Sequence, residues 1–253
     1  MTSRHALKTN RQNRRAFLQA AGAIVAAALA GNLPFAALAQ TGASAKIKIG
    51  TLGSGRVGSA IGGAWVKAGH EVMFSSLDLE ADKKLAASLG GGAHAGTPRE
   101  AAAFGDVILV SVPYRAMPGL SKDVGDLIKG KIIIDTSNPI VARDGDMAVA
   151  AREKGAGIAS MEYLPGSRIV RAFNAIGAAR MGQAASNSER VGMPIAGDDP
   201  EAIRVVSALV REVGYEPVLV GTLSAMGKYL IPGTPLAGER SADEIRKVAG
   251  TLK

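Results

Sequence analysis

The residues with the clearest chemical potential form the run Gly53-Ser54-Gly55-Arg56-Val57-Gly58, three glycines at the spacing G-x-G-x-x-G. Each glycine answers a different physical demand. The first permits a tight turn, the second lets backbone N–H groups approach a pyrophosphate with no Cβ in the way, and the third allows a helix to pack closely on a strand. The spacing alone is common in a chain with 32 glycines, so its flanks carry the weight. Lys46–Gly50 alternates and reads as a strand before the motif; Val57–Ala68 has apolar residues at helical spacing and stops at Gly69. A second strand, Glu71–Ser75, follows at the expected distance. A strand–turn–helix of this kind binds a dinucleotide, with the pyrophosphate on the positive end of the helix.

The end of the second strand decides which dinucleotide fits. An acid there accepts from a ribose 2′-OH, whereas a 2′-phosphate needs hydrogen-bond donors and positive charge. The chain reads Phe74-Ser75-Ser76-Leu77-Asp78. Two hydroxyls occupy the place and the first acid comes two residues later. Ser75 and Ser76 are expected to donate to a phosphate, with Arg56, Lys83 or Lys84 supplying charge, which favours NADP and leaves NAD open.

Other chemistries are excluded by composition or by context. With no cysteine there is no disulfide framework, no Cys-ligated zinc or iron–sulfur centre and no thiol nucleophile. His5, His70 and His94 show no metal-binding spacing and read as leader, turn and loop residues. Asp198-Asp199-Pro200-Glu201 reads as a helix N-cap with charges that suit the dipole. No catalytic acid or base is nominated.

The formal charge of +8 suggests nucleic acid until it is located. Arg4, Lys8, Arg11, Arg14 and Arg15 supply five positive charges with no acid before Ala39, which leaves +3 for the rest. A basic-patch reading loses its force, and no nucleic-acid partner is expected. The basic start, the short apolar run Ala20–Ala30 and Ala37-Leu38-Ala39 are the three parts of a secretory signal over residues 1–39. Arg14-Arg15 followed by Phe17-Leu18 resembles a twin-arginine export signal, with cleavage expected after Ala39 and a periplasmic destination. The apolar run is shorter than the ~20 residues a spanning helix needs, so no stable membrane insertion is expected after cleavage.

These residues must be positioned by the elements of residues 46–221, which follow a linker at 40–45 and precede a C-terminal helical extension at 222–253. Helices are expected at Leu79–Leu89, Pro98–Phe104 and Pro200–Val213. Val107–Val112 and Lys131–Asp135 are continuous apolar runs of the kind a strand covered on both faces requires. Further strands are expected at Ile169–Ala172, Val191–Ala196 and Pro217–Val220; Gly90–Gly92 and Gly182–Ser188 read as loops. Strands alternating with helices predict an α/β fold, a doubly wound, mostly parallel Rossmann-like sheet.

Five segments in register then resemble a known family. They are Ile47–Val72, Ser111–Tyr114, Asp135–Pro139, Val170–Asn174 and Pro194–Ala202. Together they are similar to the NADP oxidoreductases dependent on coenzyme F-420, a deazaflavin. The same domain recurs in membrane ferric reductases and in pyrroline-carboxylate reductases. The resemblance implies an NADP-binding oxidoreductase that passes a hydride between nicotinamide and a flavin, deazaflavin or small acceptor. It places Ser54, Gly55, Arg56 and Val57 on the phosphate loop and Ser75 at the first hydroxyl after the second strand. Val112 and Pro113 fall on a turn along the nicotinamide side, Asn138 falls on the turn after the next strand at the carboxyl end of the sheet, where ligands bind, and Phe173 is expected in the core. Ser76 departs from the Arg that many relatives use to grip the 2′-phosphate. A ferric or flavin reductase activity and a nucleotide-binding protein without turnover are the alternatives. A homodimer could complete a second ring site.

Overall fold

The computed structural model describes residues 46–181 and 191–252. The leader with its cleavage site, the linker and the Gly182–Ser188 loop lie outside the described residues. Eight strands form one sheet in the order β3-β2-β1-β4-β5-β6-β7-β8. They are β1 (Lys48–Leu52), β2 (Glu71–Ser75), β3 (Ala93–Ala95), β4 (Val107–Val110), β5 (Ile132–Asp135), β6 (Arg168–Arg171), β7 (Gly192–Gly197) and β8 (Glu216–Gly221). The first six run parallel. Every residue of β4, β5 and β7 is buried, because helices cover both faces.

The helices between them follow local chemistry. α1 (Arg56–Lys67) buries Ile61, Trp65 and Val66, and the Trp65 indole donates to Leu209 O at 2.9 Å. α2 (Leu79–Leu89) starts on Asp78, which accepts from Ala81 N; α3 (Pro98–Phe104) starts on a complete capping box of Thr97 and Glu100. α4 (Met117–Val124) follows β4. Three short helices bridge β5 to β6: α5 (Val141–Asp144), α6 (Asp146–Lys154) and α7 (Ala156–Tyr163). α8 (Ala178–Met181) follows β6. α9 (Pro200–Val213) is capped by Asp199, ends at a left-handed Gly214 and buries Ala202, Val205, Val206, Leu209, Val210 and Val213. The capping reading of the acidic cluster is therefore what forms, and Arg168 pairs with both Asp199 and Glu201. Beyond β8 lie α10 (Leu223–Met226) and α11 (Ala242–Ala249), the latter packed on β7 and β8 through Ile245.

The sheet is mostly parallel, as expected, and two details of the fold bear on the site. β7 runs antiparallel to β6, so the chain that leaves β6 stays at the carboxyl end of the sheet before it returns. Residues 173–178 therefore lie across the end where ligands bind in open α/β sheets. His70 is not a solvated turn residue: it is 2% exposed, accepts from Ile47 N at 3.1 Å through Nδ1, and lies 2.6 Å from a Glu212 carboxylate oxygen through Nε2.

Candidate functional site

The strand order reverses between β1 and β4, and the Gly53–Gly58 turn sits at that switch point. Gly53 has φ +98°, and a Cβ on it would lie 2.3 Å from Ser111 O. Its N–H and that of Ser54 donate to Ser75 O at 2.9 and 3.1 Å, which pins the turn to the end of β2. Gly58 is the packing glycine, since a Cβ there would lie 2.0 Å from Gly53 O. Gly55 differs from both, because a Cβ on it meets no atom within 4 Å. It faces open space in front of α1. That helix has no side-chain cap and no acid in its first turn; α4 to α7 also lack a capping side chain, and what sets α1 apart is that its start opens on the junction of two clefts. Its first N–H groups are left for an anion that approaches over Gly55.

Two clefts meet at this point, sharing Gly55, Ser111, Val112 and Pro113. The first, of about 720 Å³, runs from Gly53–Gly55 to the end of β2 at Ser75–Asp78 and on to α4. Leu77, fully exposed, and Leu120 give it an apolar wall suited to a base. The second, of about 610 Å³, lies beyond Arg56 and Val57 and is lined by Asn138, Arg143, Phe173, Asn174 and the 232–238 segment. Either volume suits one half of a dinucleotide. The sequence-derived residues thus come together: Gly53, Ser54, Ser75 and Ser76 on the first cleft, Arg56, Val57 and Asn138 on the second, and Gly55, Val112 and Pro113 on both. Gly58 stands behind the turn and supports it.

The roles expected at the first cleft need correction. Ser75 is fully buried and its hydroxyl donates to Thr51 O at 2.8 Å, so that hydroxyl is turned into the sheet and does not donate to a phosphate. Ser76 Oγ donates to Asp82 Oδ2 at 2.8 Å, and Ser54 Oγ donates to Asp82 Oδ1. Lys83 is paired with Glu80 at 2.7 Å, and Arg56 lines the second cleft. Asp82, 1% exposed, was not singled out in the sequence. An acid in the first turn of a helix reads as a complement to the dipole, and its neighbours arrive from two other elements.

The floor of the second cleft is tied down residue by residue. Thr136 Oγ1 donates to Val110 O, Ser137 N to Asp135 Oδ1, and Asn138 Nδ2 to Asn174 O. Beneath it Asp135 and Arg171, both fully buried, form an ion pair that also takes Ser160 Oγ, while Arg171 Nη2 donates to Ser137 O and Leu230 O. Arg143 donates to Asn138 O and to Asp144. Burial pushes the Asp144 carboxyl up, but the Arg143 guanidinium and the Ile140 and Arg115 backbone N–H groups outweigh it and hold the pKa below its ordinary value. Phe173, at φ +62°, is 1% exposed and packs edge-on against Trp65 and Tyr215 at 6.3 and 6.2 Å. It is a core residue, as expected, whose backbone bends round the cleft. Among the described residues lining this cleft the ionisable side chains are Arg56 and Arg143.

A turn held by three glycines at a switch point, opening on two clefts, is the geometry of a dinucleotide-binding domain. Residues 48–139 match the family described as NADP oxidoreductase coenzyme F420-dependent. All eleven sequence-derived site residues fall inside that stretch. The chain is also 30% identical over 182 residues to the Rattus norvegicus metalloreductase STEAP3, covering 70% of this chain and 34% of that protein. It is 28% identical over 175 residues to the F420-dependent NADP reductase of Methanothermobacter thermautotrophicus, covering 64% and 74% respectively. The chain thus spans about a third of the metalloreductase and about three quarters of the F420-dependent reductase. Among solved structures, a Sinorhizobium meliloti protein superposes with a TM-score of 0.67 at 24% identity over 78% of this chain and 96% of its own, a likeness of fold.

Proposed function

We propose that this chain is a nicotinamide-dinucleotide oxidoreductase that passes a hydride between the dinucleotide and a second, flavin-type ring. The observation that carries the reading is the uncapped start of α1, facing open space at Gly55, where the two clefts join. The N–H groups of Arg56 to Gly58 would hold the pyrophosphate; adenosine would occupy the first cleft and nicotinamide the second. When bound, the nicotinamide supplies or accepts the hydride; the chain's part is alignment and exclusion of water. Val112 and Pro113 form the crest between the clefts, and Asn138, held by Asn174 O, presents a fixed amide edge.

What lines the second cleft supports a ring acceptor over a carbonyl or imine. Reduction of a carbonyl or an imine needs a proton donor at the reacting atom. Arg56 and Arg143 do not give up a proton, the Thr136 hydroxyl is spent on Val110 O, and the one other hydroxyl among the described residues of the cleft, that of Ser111, is an alcohol with no base beside it to make it an acid. Direct hydride transfer to a second ring carbon or nitrogen needs no protein acid at the reacting atom, the further proton on the reduced ring being one that solvent can supply. The match to a family named for coenzyme F420 supports the same acceptor class. We further propose that the chain is exported by the twin-arginine route with its cofactor already bound, on the strength of Arg14-Arg15 and the segment that follows.

The test is single-turnover mixing of the chain, loaded with reduced dinucleotide, against an oxidised deazaflavin, a flavin and ferric chelate, read at the nicotinamide absorbance. Ring reduction at a rate first order in the complex supports the reading. Binding without oxidation of the nicotinamide by any acceptor would leave a nucleotide-binding protein without turnover.

A further inference from the structure

The ribose end of the first cleft holds an arrangement that bears on the form of the dinucleotide. This inference rests on the dinucleotide reading above. Ser54 and Ser76 reach the cleft from two different elements, and both donate their hydroxyl hydrogen to the same buried carboxylate, Asp82. Ser76 Oγ also accepts from Asp78 N at 3.1 Å; its other acceptor, Asp78 O, is farther away at 3.3 Å than Asp82 Oδ2. A serine has one hydrogen to give. With those hydrogens turned inward, the two oxygens offer the cleft lone pairs.

We propose that Asp82, acting through Ser54 and Ser76, makes this site select the dinucleotide with a free 2′-hydroxyl over the form phosphorylated there. A ribose hydroxyl can donate to a serine lone pair, whereas a phosphate dianion brings acceptors only and needs donors. Charge points the same way. A dianion within hydrogen-bonding reach of Ser76 would lie about 5–6 Å from the Asp82 carboxylate, close enough for repulsion that salt screens incompletely. Asp78 and Asp123 stand on the same cleft. Of the cations nearby, Arg115 lines this cleft too but is drawn toward Arg143 O and Asp144, Lys83 is paired with Glu80, Lys84 is exposed on α2, and Arg56 lines the other cleft. The NADP named for the matched family is therefore not the form for which this chain's ribose end is built.

The experiment is calorimetric titration of the full chain with NADH and with NADPH at fixed ionic strength, repeated for Asp82→Asn and for Ser76→Arg. The wild type is expected to bind NADH on the order of tenfold more tightly. Asp82→Asn should raise NADPH affinity and leave NADH nearly unchanged, so the ratio collapses; Ser76→Arg should carry it past unity. Wild type that binds NADPH as tightly as NADH or more so, or a folded Asp82→Asn with an unchanged ratio, overturns the proposal and leaves the oxidoreductase reading intact. If Asp82→Asn does not fold, the wild-type ratio and Ser76→Arg decide. Failure of both dinucleotides to bind removes that reading and this one together.

Discussion

Gly55 and Gly58 lie one helical turn apart, and replacing each should damage a different property. At Gly58 a methyl group would sit 2.0 Å from Gly53 O and 3.1 Å from Thr51 Cγ2. The nearest obstacle is backbone, so α1 must move off β1. Overpacking of that kind costs about 1–3 kcal/mol, and for a domain of this size a melting point falls roughly 2–4 °C per kcal/mol. Gly58→Ala should therefore melt about 2–12 °C lower. At Gly55 the same methyl meets nothing within 4 Å, and the backbone, at φ −64° and ψ −166°, suits any residue. Gly55→Ser should leave stability unchanged or raise it by roughly a few tenths of a kcal/mol, because serine at that position caps a helix slightly better than glycine. That same hydroxyl would take a first-turn N–H and occupy the approach to it. Losing one or two charge-assisted hydrogen bonds, each about 1.5–3 kcal/mol, should weaken dinucleotide binding by at least about tenfold. Thermal unfolding and calorimetric titration of the two variants make the comparison. A Gly55→Ser protein that binds dinucleotide as well as wild type would refute the placement of the pyrophosphate. One that melts as low as Gly58→Ala would refute the reading of Gly55 as an open position.

Three further perturbations test other parts of the molecule. Asp135→Asn leaves the Arg171 guanidinium buried without its counter-charge, and removing one member of such a pair costs about 3–5 kcal/mol; a urea midpoint unmoved by the change would show the pair contributes little. Asp144 is held below its ordinary pKa of 3.8 in the folded chain, so its contribution is complete above that value and is lost as pH falls through the lower, folded one. Urea midpoints measured from pH 5 down to pH 3 should fall, and the fall should be shallower in Asp144→Asn. In the leader, Arg14→Lys with Arg15→Lys should hold the precursor inside the cell, as cell fractionation would report; continued export of the double variant counts against the twin-arginine route.

How much of this was legible in the sequence differs by element. β2, α2, α3 and α9 form over the expected residues because local chemistry marks their ends: Asp78 caps α2, Thr97 and Glu100 box the start of α3, and Asp199-Pro200 and Gly214 bracket α9. β3 carries no local signal, since Ala93-His94-Ala95 has neither β-branched residues nor alternation and pairs because the edge of β2 is beside it. The helices from α5 to α7 were also missed; they are short and broken at Gly145 and Gly155, and in α6 and α7 the buried residues are small. At the site, the glycine turn could be read because backbone geometry dictates residue type there. Asp82 could not, for its role depends on where Ser54 and Ser76 arrive. Ser75 differs from expectation for a related reason: its hydroxyl is satisfied by the Thr51 carbonyl on the neighbouring strand, a partner the local sequence does not show.

The two halves of the site are held by different means, and that division has a consequence for the chemistry. On the proposed reading, the phosphate side depends on backbone N–H groups at the start of α1, which would bind through position and dipole and are in place before any ligand arrives. The second cleft rests on the 136–138 turn, each residue of which is bonded to a different element, β4, β5 or the chain after β6. The buried Asp135–Arg171 pair closes that turn from below through Ser137. A reaction in which the transferred group passes directly between two bound rings is sensitive to sub-ångström placement and indifferent to side-chain acidity. A cleft whose ionisable side chains are arginines, on a floor bonded at each residue, supplies the first and omits the second. If the proposed hydride transfer is the reaction, Asp135 acts in it as a positioning residue, and weakening its pair should slow the transfer while leaving the phosphate side, and with it most of the dinucleotide affinity, in place.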